Sequence, residues 1–167
     1  MLIRTEAPAD ILPVDRLLKK TFETDAEANL VMALRENGNR TLSLVACSDE
    51  GEVVGHLCLS PVTVDGQDCG WQGLAPLTIS PEYQRQGIGL ALLDEAKNIL
   101  AELGYPAVVV LGDPSYYQRA GFTTAADHGL TCRWDVPVEA FMVIELLPDT
   151  LANHQGKVEY SAEFAAL

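Results

Sequence analysis

Apolar residues recur with the period of a helix in three parts of the chain, and with the period of a strand between them. Residues 8–20 and 26–36 repeat apolar side chains every three or four positions, which predicts two amphipathic helices. Asp25 is suited to cap the second of them. A longer helix is predicted over residues 87–103, and Gly104 ends it. Its predicted inner face consists of Ile88, Leu92, Ala96, Ile99 and Leu103.

Three strands are predicted between the second and third helices. Residues 41–48 and 52–62 flank the turn Asp49-Glu50-Gly51, which is typical of a β-hairpin. A further strand follows over residues 69–79. It contains Pro76, which has no backbone N–H to donate and therefore indicates a bulge or an edge.

The second half of the chain continues the alternation of helix and strand. Residues 107–111 are wholly apolar and follow the long helix, so we expect this strand to lie parallel to the strand before that helix. A short helix is predicted over residues 113–121, and a last strand around residues 141–147. With a first strand over residues 2–7, these elements predict a mixed α/β (α+β) sheet with antiparallel N-terminal strands, one central βαβ unit and flanking helices.

Composition narrows the class of protein. A chain of 167 residues fits a single domain over residues 1–167, and its net charge of −13 disfavours nucleic acid and anionic membranes as partners. The apolar runs are far shorter than a membrane span, and the N-terminus lacks the layout of a signal peptide, which indicates a cytoplasmic protein. The four cysteines and three histidines lack ligand spacing, so we expect no metal.

The polar segment from Gln84 to Gly89 joins an apolar strand to the long helix. A helix start leaves about four N–H groups without intrahelical partners and carries partial positive charge. Gly87 and Gly89 would let an anion approach these groups without meeting a side chain, and Arg85 adds positive charge. The segment therefore predicts an anion site, although neither the P-loop pattern nor the dinucleotide-binding pattern is present.

Two motifs carry a resemblance to a known family. Gln84, Gly87 and Gly89 have the spacing [QR]-x-x-G-x-[GA], which resembles motif A of the GNAT superfamily of acetyl-CoA-dependent N-acetyltransferases. The run from Gly112 to Phe122, with a tyrosine on a short helix before Gly-Phe, resembles a later motif of that superfamily. Within the superfamily the chain resembles an uncharacterised bacterial branch with a Gly-Asp-Pro-x-Tyr-Tyr run. The resemblance implies a GNAT fold and acetyl-CoA as co-substrate.

The resemblance also implies roles for individual residues. The backbone of β-strand residues 77–79 would pair with the pantetheine arm, and amides of residues 85–90 would bind the pyrophosphate. An amide near Ile79 would polarise the thioester carbonyl. Tyr117 matches the position whose hydroxyl protonates the departing thiolate. The residues implied in cofactor binding are Leu77, Thr78, Ile79, Gln84, Arg85, Gln86, Gly87, Ile88, Gly89 and Leu90.

The implied activity is direct transfer of an acetyl group from acetyl-CoA to a primary amine, on a small molecule or a protein, in a ternary complex. Tyr117 would be the general acid. A homodimer is left open. The alternative is a non-catalytic acyl-CoA-binding regulatory or interaction module on the same fold. The presence of Tyr117 favours the enzyme.

The general base is left open by the sequence. The strand over residues 69–79 carries no carboxylate or histidine, so the candidates are Glu27, His56, His128 and a water relay. The late loop from Asp127 to Pro137 is a candidate lining for the acceptor site. The acceptor amine itself is not identified.

Overall fold

The computed structural model describes residues 1–166, which form two compact units. The first unit comprises Met1–Ser60, Ala75–Ala96 and the C-terminal segment from Ala162, and the second comprises Pro61–Leu74 and Lys97–Ser161. In chain order the elements are β1 (Leu2–Thr5), α1 (Ile11–Thr21), α2 (Ala26–Glu36), β2 (Leu42–Cys47), β3 (Val53–Val64), β4 (Gln72–Ile79), α3 (Ile88–Glu102), β5 (Ala107–Leu111), α4 (Pro114–Gln118), β6 (Thr123–Thr124), β7 (Leu130–Thr131), β8 (Phe141–Glu145), α5 (Thr150–Asn153) and β9 (Gly156–Tyr160).

Strands β1, β2 and β3 are antiparallel neighbours in the first unit, as the hairpin pattern predicted. One face of β2 packs on α1 and α2 in a core cluster that includes Val14, Val31 and Val45. On the other face, α3 lies very close to the strands. A Cβ atom at Gly55 would lie 3.1 Å from Ala46 Cβ and 3.3 Å from a Leu92 methyl carbon, so glycine permits this close approach.

The second unit contains the parallel strand pair that the sequence predicted. Residues Gln72, Gly73 and Leu74 of β4 pair in parallel with Val108, Val109 and Val110 of β5. Strand β8 pairs antiparallel with β5 on its other side, and β6 pairs with β8. Strand β9 adds to the end of β3 and also pairs with β7. The fully buried Trp71 belongs to the core of this unit.

Two predictions about the helices were wrong in detail. Leu103 was placed on the inner face of α3 but is 67% exposed, whereas Leu93 and Leu100 are buried. The buried face of α3 runs through Leu92, Leu93, Ala96 and Leu100, whereas Leu103 follows the last helical residue, Glu102. Asp25 precedes α2 without a side-chain capping bond, and the Thr24 hydroxyl accepts from the Ala26 N–H instead.

Elements β7, α5 and β9 were not predicted. Each is short, and β9 is held by its pairing with β3 and β7 rather than by a local pattern. Within residues 1–166, no helix is long and apolar enough to cross a membrane.

Candidate functional site

The segment between β4 and α3 has a backbone suited to hold an anion. Arg85 has φ = 63° and Gly87 has φ = 83°, so two residues in left-handed conformation flank Gln86. Alternating backbone handedness turns successive N–H groups toward one concave side, a geometry that binds anions. A Cβ atom at Gly87 would meet nothing within 4 Å, so the approach to this backbone is open.

The start of α3 adds positive potential at the same place. The helix runs over 15 residues, and its first turn carries no acidic residue that would compete for its free N–H groups. Arg85 is exposed and, within residues 1–166, forms no ion pair. The loop therefore offers backbone donors, the positive end of a helix and one free guanidinium.

Side-chain hydrogen bonds fix the shape of this loop. The Gln84 side-chain amide donates to the Ile79 carbonyl at 3.0 Å, which ties the loop to the end of β4. The Gln86 side chain donates to the Glu82 carbonyl at 3.3 Å. Gln84, which the motif places in cofactor binding, thus also anchors the loop to the strand.

The last residues of β4 alternate in burial. Leu77 and Ile79 are half-buried, whereas Thr78 is buried between them. The Thr78 hydroxyl has no hydrogen-bond partner among the described residues. Pro76 precedes these residues in a cis peptide, and the β4–β5 register pairs end at Leu74, so the proline lies beyond the part of β4 that pairs with β5.

Tyr117 is held on α4 by tight packing within the second unit. The helix begins at Asp113, whose carboxylate accepts from the Ser115 N–H at 3.0 Å. The Tyr117 ring packs edge-to-face on Phe122, with ring centres 5.6 Å apart. A Cβ atom at Gly112 would lie 2.5 Å from Tyr117 Cε2, so only glycine at position 112 leaves room for this ring.

The hydroxyl of Tyr117 keeps its proton. The side chain is only 9% exposed, and this burial raises the pKa of Tyr117 well above its usual value, with Tyr116 and Asp113 adding to the effect. No hydrogen bond within residues 1–166 engages the hydroxyl. Tyr117 is therefore a protonated donor that is free to bond to a ligand.

The candidate general bases lie in different surroundings. Glu27 is half-buried in the first turn of α2, where a carboxylate also stabilises the helix. His128 Nε2 lies 2.9 Å from the Thr123 hydroxyl. His56 is fully buried on β3, with Nε2 2.8 Å from the Ser43 hydroxyl. Glu27 and His56 belong to the first unit and His128 to the second.

His56 is a poor proton acceptor. Complete burial, together with the charges of Arg35 and Arg40, lowers the pKa of His56 to about 3. Its imidazole is therefore neutral at physiological pH. Protonated His56 would be a much stronger acid than an ammonium group, so transfer of a proton from an ammonium group to His56 is unfavourable. The structure therefore argues against His56 as the general base.

The buried histidine should make the protein sensitive to acid. Its pKa is lower in the folded chain than the usual 6.5, so the unfolded chain binds more protons between about pH 6.5 and pH 3. Stability from this group is therefore present above pH 6.5 and lost as the pH falls. We expect the free energy of unfolding to drop by about 2 kcal/mol between pH 7 and pH 5 from His56 alone.

Urea unfolding of wild type and His56→Gln at pH 7 and pH 5 measures the contribution of His56 to the free energy of unfolding. The pH-dependent loss should be smaller by that amount in His56→Gln. Equal losses in wild type and His56→Gln would show that His56 is not neutral in the folded protein.

The late loop Asp127 to Pro137 contributes to a cavity in the second unit. The cavity has a volume of about 150 Å³, and its lining residues are mostly apolar: Ala126, Leu130, Thr131, Cys132, Trp134, Val136, Pro137, Val138 and Phe141. The Trp134 ring packs on Tyr160 with centres 5.1 Å apart, and the Arg133 guanidinium lies 4.7 Å from the Trp134 ring centre. Part of this loop thus lines an apolar recess.

The sequence profile of the acetyltransferase (GNAT) family matches residues 11–122, which include β4, the anion loop, α3 and Tyr117. The chain belongs to this family. The predicted family, enzyme class and GNAT fold are thereby confirmed, with a mixed, mostly antiparallel sheet flanked by helices. Among residues 1–166, no group of three or more His, Cys, Asp or Glu residues is arranged to hold a metal ion.

Relatives of this acetyltransferase cover nearly its whole length. The uncharacterised N-acetyltransferase YhbS of Escherichia coli K12 is 49% identical over 164 residues, which are 98% of each chain. The crystal structure of Escherichia coli YhbS in complex with CoA superposes with a TM-score of 0.95 over 98% of this chain and 91% of that chain. A GNAT family acetyltransferase from Brucella melitensis in complex with acetyl-CoA is 34% identical, with a TM-score of 0.82 over 98% and 97% of the two chains.

Sequence reasoning missed one contact of this acetyltransferase near the anion loop. The Lys20 ammonium lies 3.1 Å from the Ser80 hydroxyl and 3.1 Å from a Glu82 carboxylate oxygen. Lys20 lies 60 positions before Ser80 and 62 before Glu82, and Glu82 considered alone is typical of a solvent-exposed charge. No local pattern could have indicated the contact.

Proposed function

We propose that this GNAT acetyltransferase uses acetyl-CoA and transfers the acetyl group directly to a primary amine in a ternary complex. The observation that carries the proposal is the loop before α3, where Arg85 and Gly87 adopt left-handed conformations beside an open helix start that has no acidic residue in its first turn. Relatives that cover 98% of the chain have been crystallised with CoA and with acetyl-CoA. We propose further that residues 1–167 form one such domain.

The residues of the loop and of β4 fit this co-substrate. The diphosphate of CoA is an anion that suits the amides of residues 85–90 and the Arg85 side chain. Leu77 and Ile79 are half-buried residues at the end of β4, and their backbone suits an extended amide-bearing chain that pairs with it as an added strand. When bound, acetyl-CoA supplies the thioester that serves as acyl donor.

Tyr117 would act as the general acid. Its hydroxyl is protonated and unengaged, so it can donate a proton to the sulfur that leaves as the acetyl group is transferred. The amine must lose a proton to attack. Because His56 is a poor acceptor, the remaining candidates for that proton are Glu27, His128 and a water relay. Direct transfer forms no covalent bond to the enzyme, so the reaction requires no nucleophilic side chain.

Binding and turnover test the proposal separately. Acetyl-CoA should raise the midpoint of thermal unfolding, because a ligand that binds only the folded state stabilises it. Release of free CoA thiol should then exceed the no-amine rate for at least one member of a panel of primary amines and lysine peptides. Absence of any thermal shift would contradict the proposal. Binding without turnover on any amine would support a non-catalytic CoA-binding module instead.

A further inference from the structure

Lys20 connects the last turn of α1 to the residues that lead into the anion loop. Its ammonium donates to the Ser80 hydroxyl and to the Glu82 carboxylate, each at 3.1 Å. Ser80 directly follows β4, and Glu82 lies in the single turn Pro81–Tyr83 that leads to Gln84. All of these residues belong to the first unit.

The Glu82 carboxylate is the centre of this contact. It accepts from the Ser80 hydroxyl, from its own backbone N–H and from Lys20, and these bonds lower the pKa of Glu82 to about 2 although the group is exposed. Glu82 is therefore fully ionised at every working pH. Its carbonyl oxygen meanwhile accepts from the Gln86 side chain, so the residue also shapes the loop itself.

This ionised carboxylate lies only three residues before Arg85, in a chain whose net charge is already −13. A carboxylate beside an anion site repels the anion unless a cation neutralises it. Lys20 is the cation that bonds to Glu82 among the residues the structure describes. The pair thus removes a repulsive charge and fastens the turn before the loop at the same time.

We propose that Lys20 is a positioning residue for the acyl donor. Its ammonium neutralises Glu82 and holds the Ser80–Glu82 turn, so that the loop over residues 85–90 receives the diphosphate of CoA. The inference rests on the proposed function, because it requires that CoA binds at this loop. Lys20 acts through Glu82 and Ser80 and has no part in the chemical step.

The chain offers a matched control on the same helix. Lys19 is equally exposed and also forms an ion pair, but its partner is Asp15, one turn earlier on α1. Replacement of Lys19 changes the net charge by the same amount as replacement of Lys20. Any difference between the two variants therefore reports position and not overall charge.

Isothermal titration of the full-length protein with CoA tests the inference in Lys20→Met, Lys19→Met, Glu82→Gln and Lys20→Met/Glu82→Gln. We expect Lys20→Met to raise the Kd about fivefold in low salt, in line with the worth of an exposed ion pair. Lys19→Met should stay within about twofold of wild type, and Lys20→Arg should restore most of the affinity. The difference between wild type and Lys20→Met should shrink in about 0.5 M salt because salt screens exposed charges.

The double variant separates neutralisation from simple loss of structure. If Lys20 acts by neutralising Glu82, then Lys20→Met/Glu82→Gln should bind CoA more tightly than Lys20→Met alone. In turnover assays with an accepted amine, Lys20→Met should raise the KM for acetyl-CoA while kcat stays within about twofold of wild type.

The outcomes also distinguish the inference from the proposed function. Wild type that fails to bind CoA would overturn the proposed function and this inference with it. Wild type that binds CoA while Lys20→Met binds it equally well would overturn the inference alone. A double variant no better than Lys20→Met, or a fall in kcat instead of a rise in KM, would likewise exclude Lys20 as a positioning residue.

Discussion

Tyr117→Phe is expected to lower kcat by about 100- to 1000-fold on whichever amine the protein accepts, the range that a general acid contributes. The substitution removes one oxygen atom and leaves the ring that packs on Phe122 and against Gly112. Binding of CoA should therefore change by less than about twofold, since no contact of the loop over residues 85–90 is altered. Steady-state release of CoA thiol and titration with CoA measure the two quantities.

Tyr116→Phe is the matched control for this substitution. Tyr116 is the neighbouring residue on α4, is half-buried, and packs edge-to-face on Tyr117 with ring centres 5.1 Å apart. Adjacent residues on a helix point about 100° apart, so the two hydroxyls face different surroundings. We expect Tyr116→Phe to keep at least half of the wild-type kcat. Equal losses in the two variants, or near-wild-type activity in Tyr117→Phe, would remove Tyr117 from the mechanism.

The pH profile gives a second measure of the same group. Burial raises the pKa of Tyr117, so its hydroxyl stays protonated through the range in which amines lose their protons. The rate should therefore rise with pH as the acceptor is deprotonated, with no fall below about pH 10 that Tyr117 could cause. A falling limb that is absent in Tyr117→Phe and lies below that pH would contradict the raised pKa.

The parts of the site that could be predicted from sequence are those with local causes. The glycines before α3 and the Asp113-Pro114 start of α4 determine the backbone conformation of only the few residues around them. The structure has the loop and both helices where they were expected. Apolar periodicity gave α2 at its observed bounds, Ala26–Glu36, for the same reason. Chain connectivity alone was enough to predict that β5 runs parallel to β4.

The parts that could not be predicted depend on residues distant in sequence. Strand β9 is too short and too polar to be recognised until it pairs with Val62, Thr63 and Val64 of β3. The pKa of His56 depends partly on Arg35 and Arg40, and no sequence motif links these two residues to position 56. In the sequence, Gly112 is typical of a turn. Only the position of the Tyr117 ring shows why a side chain is excluded at position 112. Burial and packing of this kind are properties of the folded chain.

Gly87→Asp is expected to raise the Kd for CoA by at least about 100-fold in low salt. The new carboxylate would stand at the open side of the loop, where nothing lies within 4 Å of the Cβ position, and would repel the diphosphate. Aspartate adopts positive φ more readily than most residues, so the observed φ of 83° can be kept. Titration with CoA at low salt measures the change in Kd, and the same titration at high salt shows how much of that change is electrostatic.

Two further variants identify the cause of that loss. Gly87→Asn has the same shape without the charge, so it should bind CoA more tightly than Gly87→Asp. Gly104→Asp places the same residue at the other end of α3, at a glycine with φ = 87° and equally open surroundings. An acidic residue stabilises a helix start and destabilises a helix end. Thermal unfolding should therefore show Gly87→Asp to be at least as stable as Gly104→Asp, although only Gly87→Asp loses CoA. Loss of CoA binding in both variants, or in neither, would mean that the start of α3 is not where the diphosphate binds.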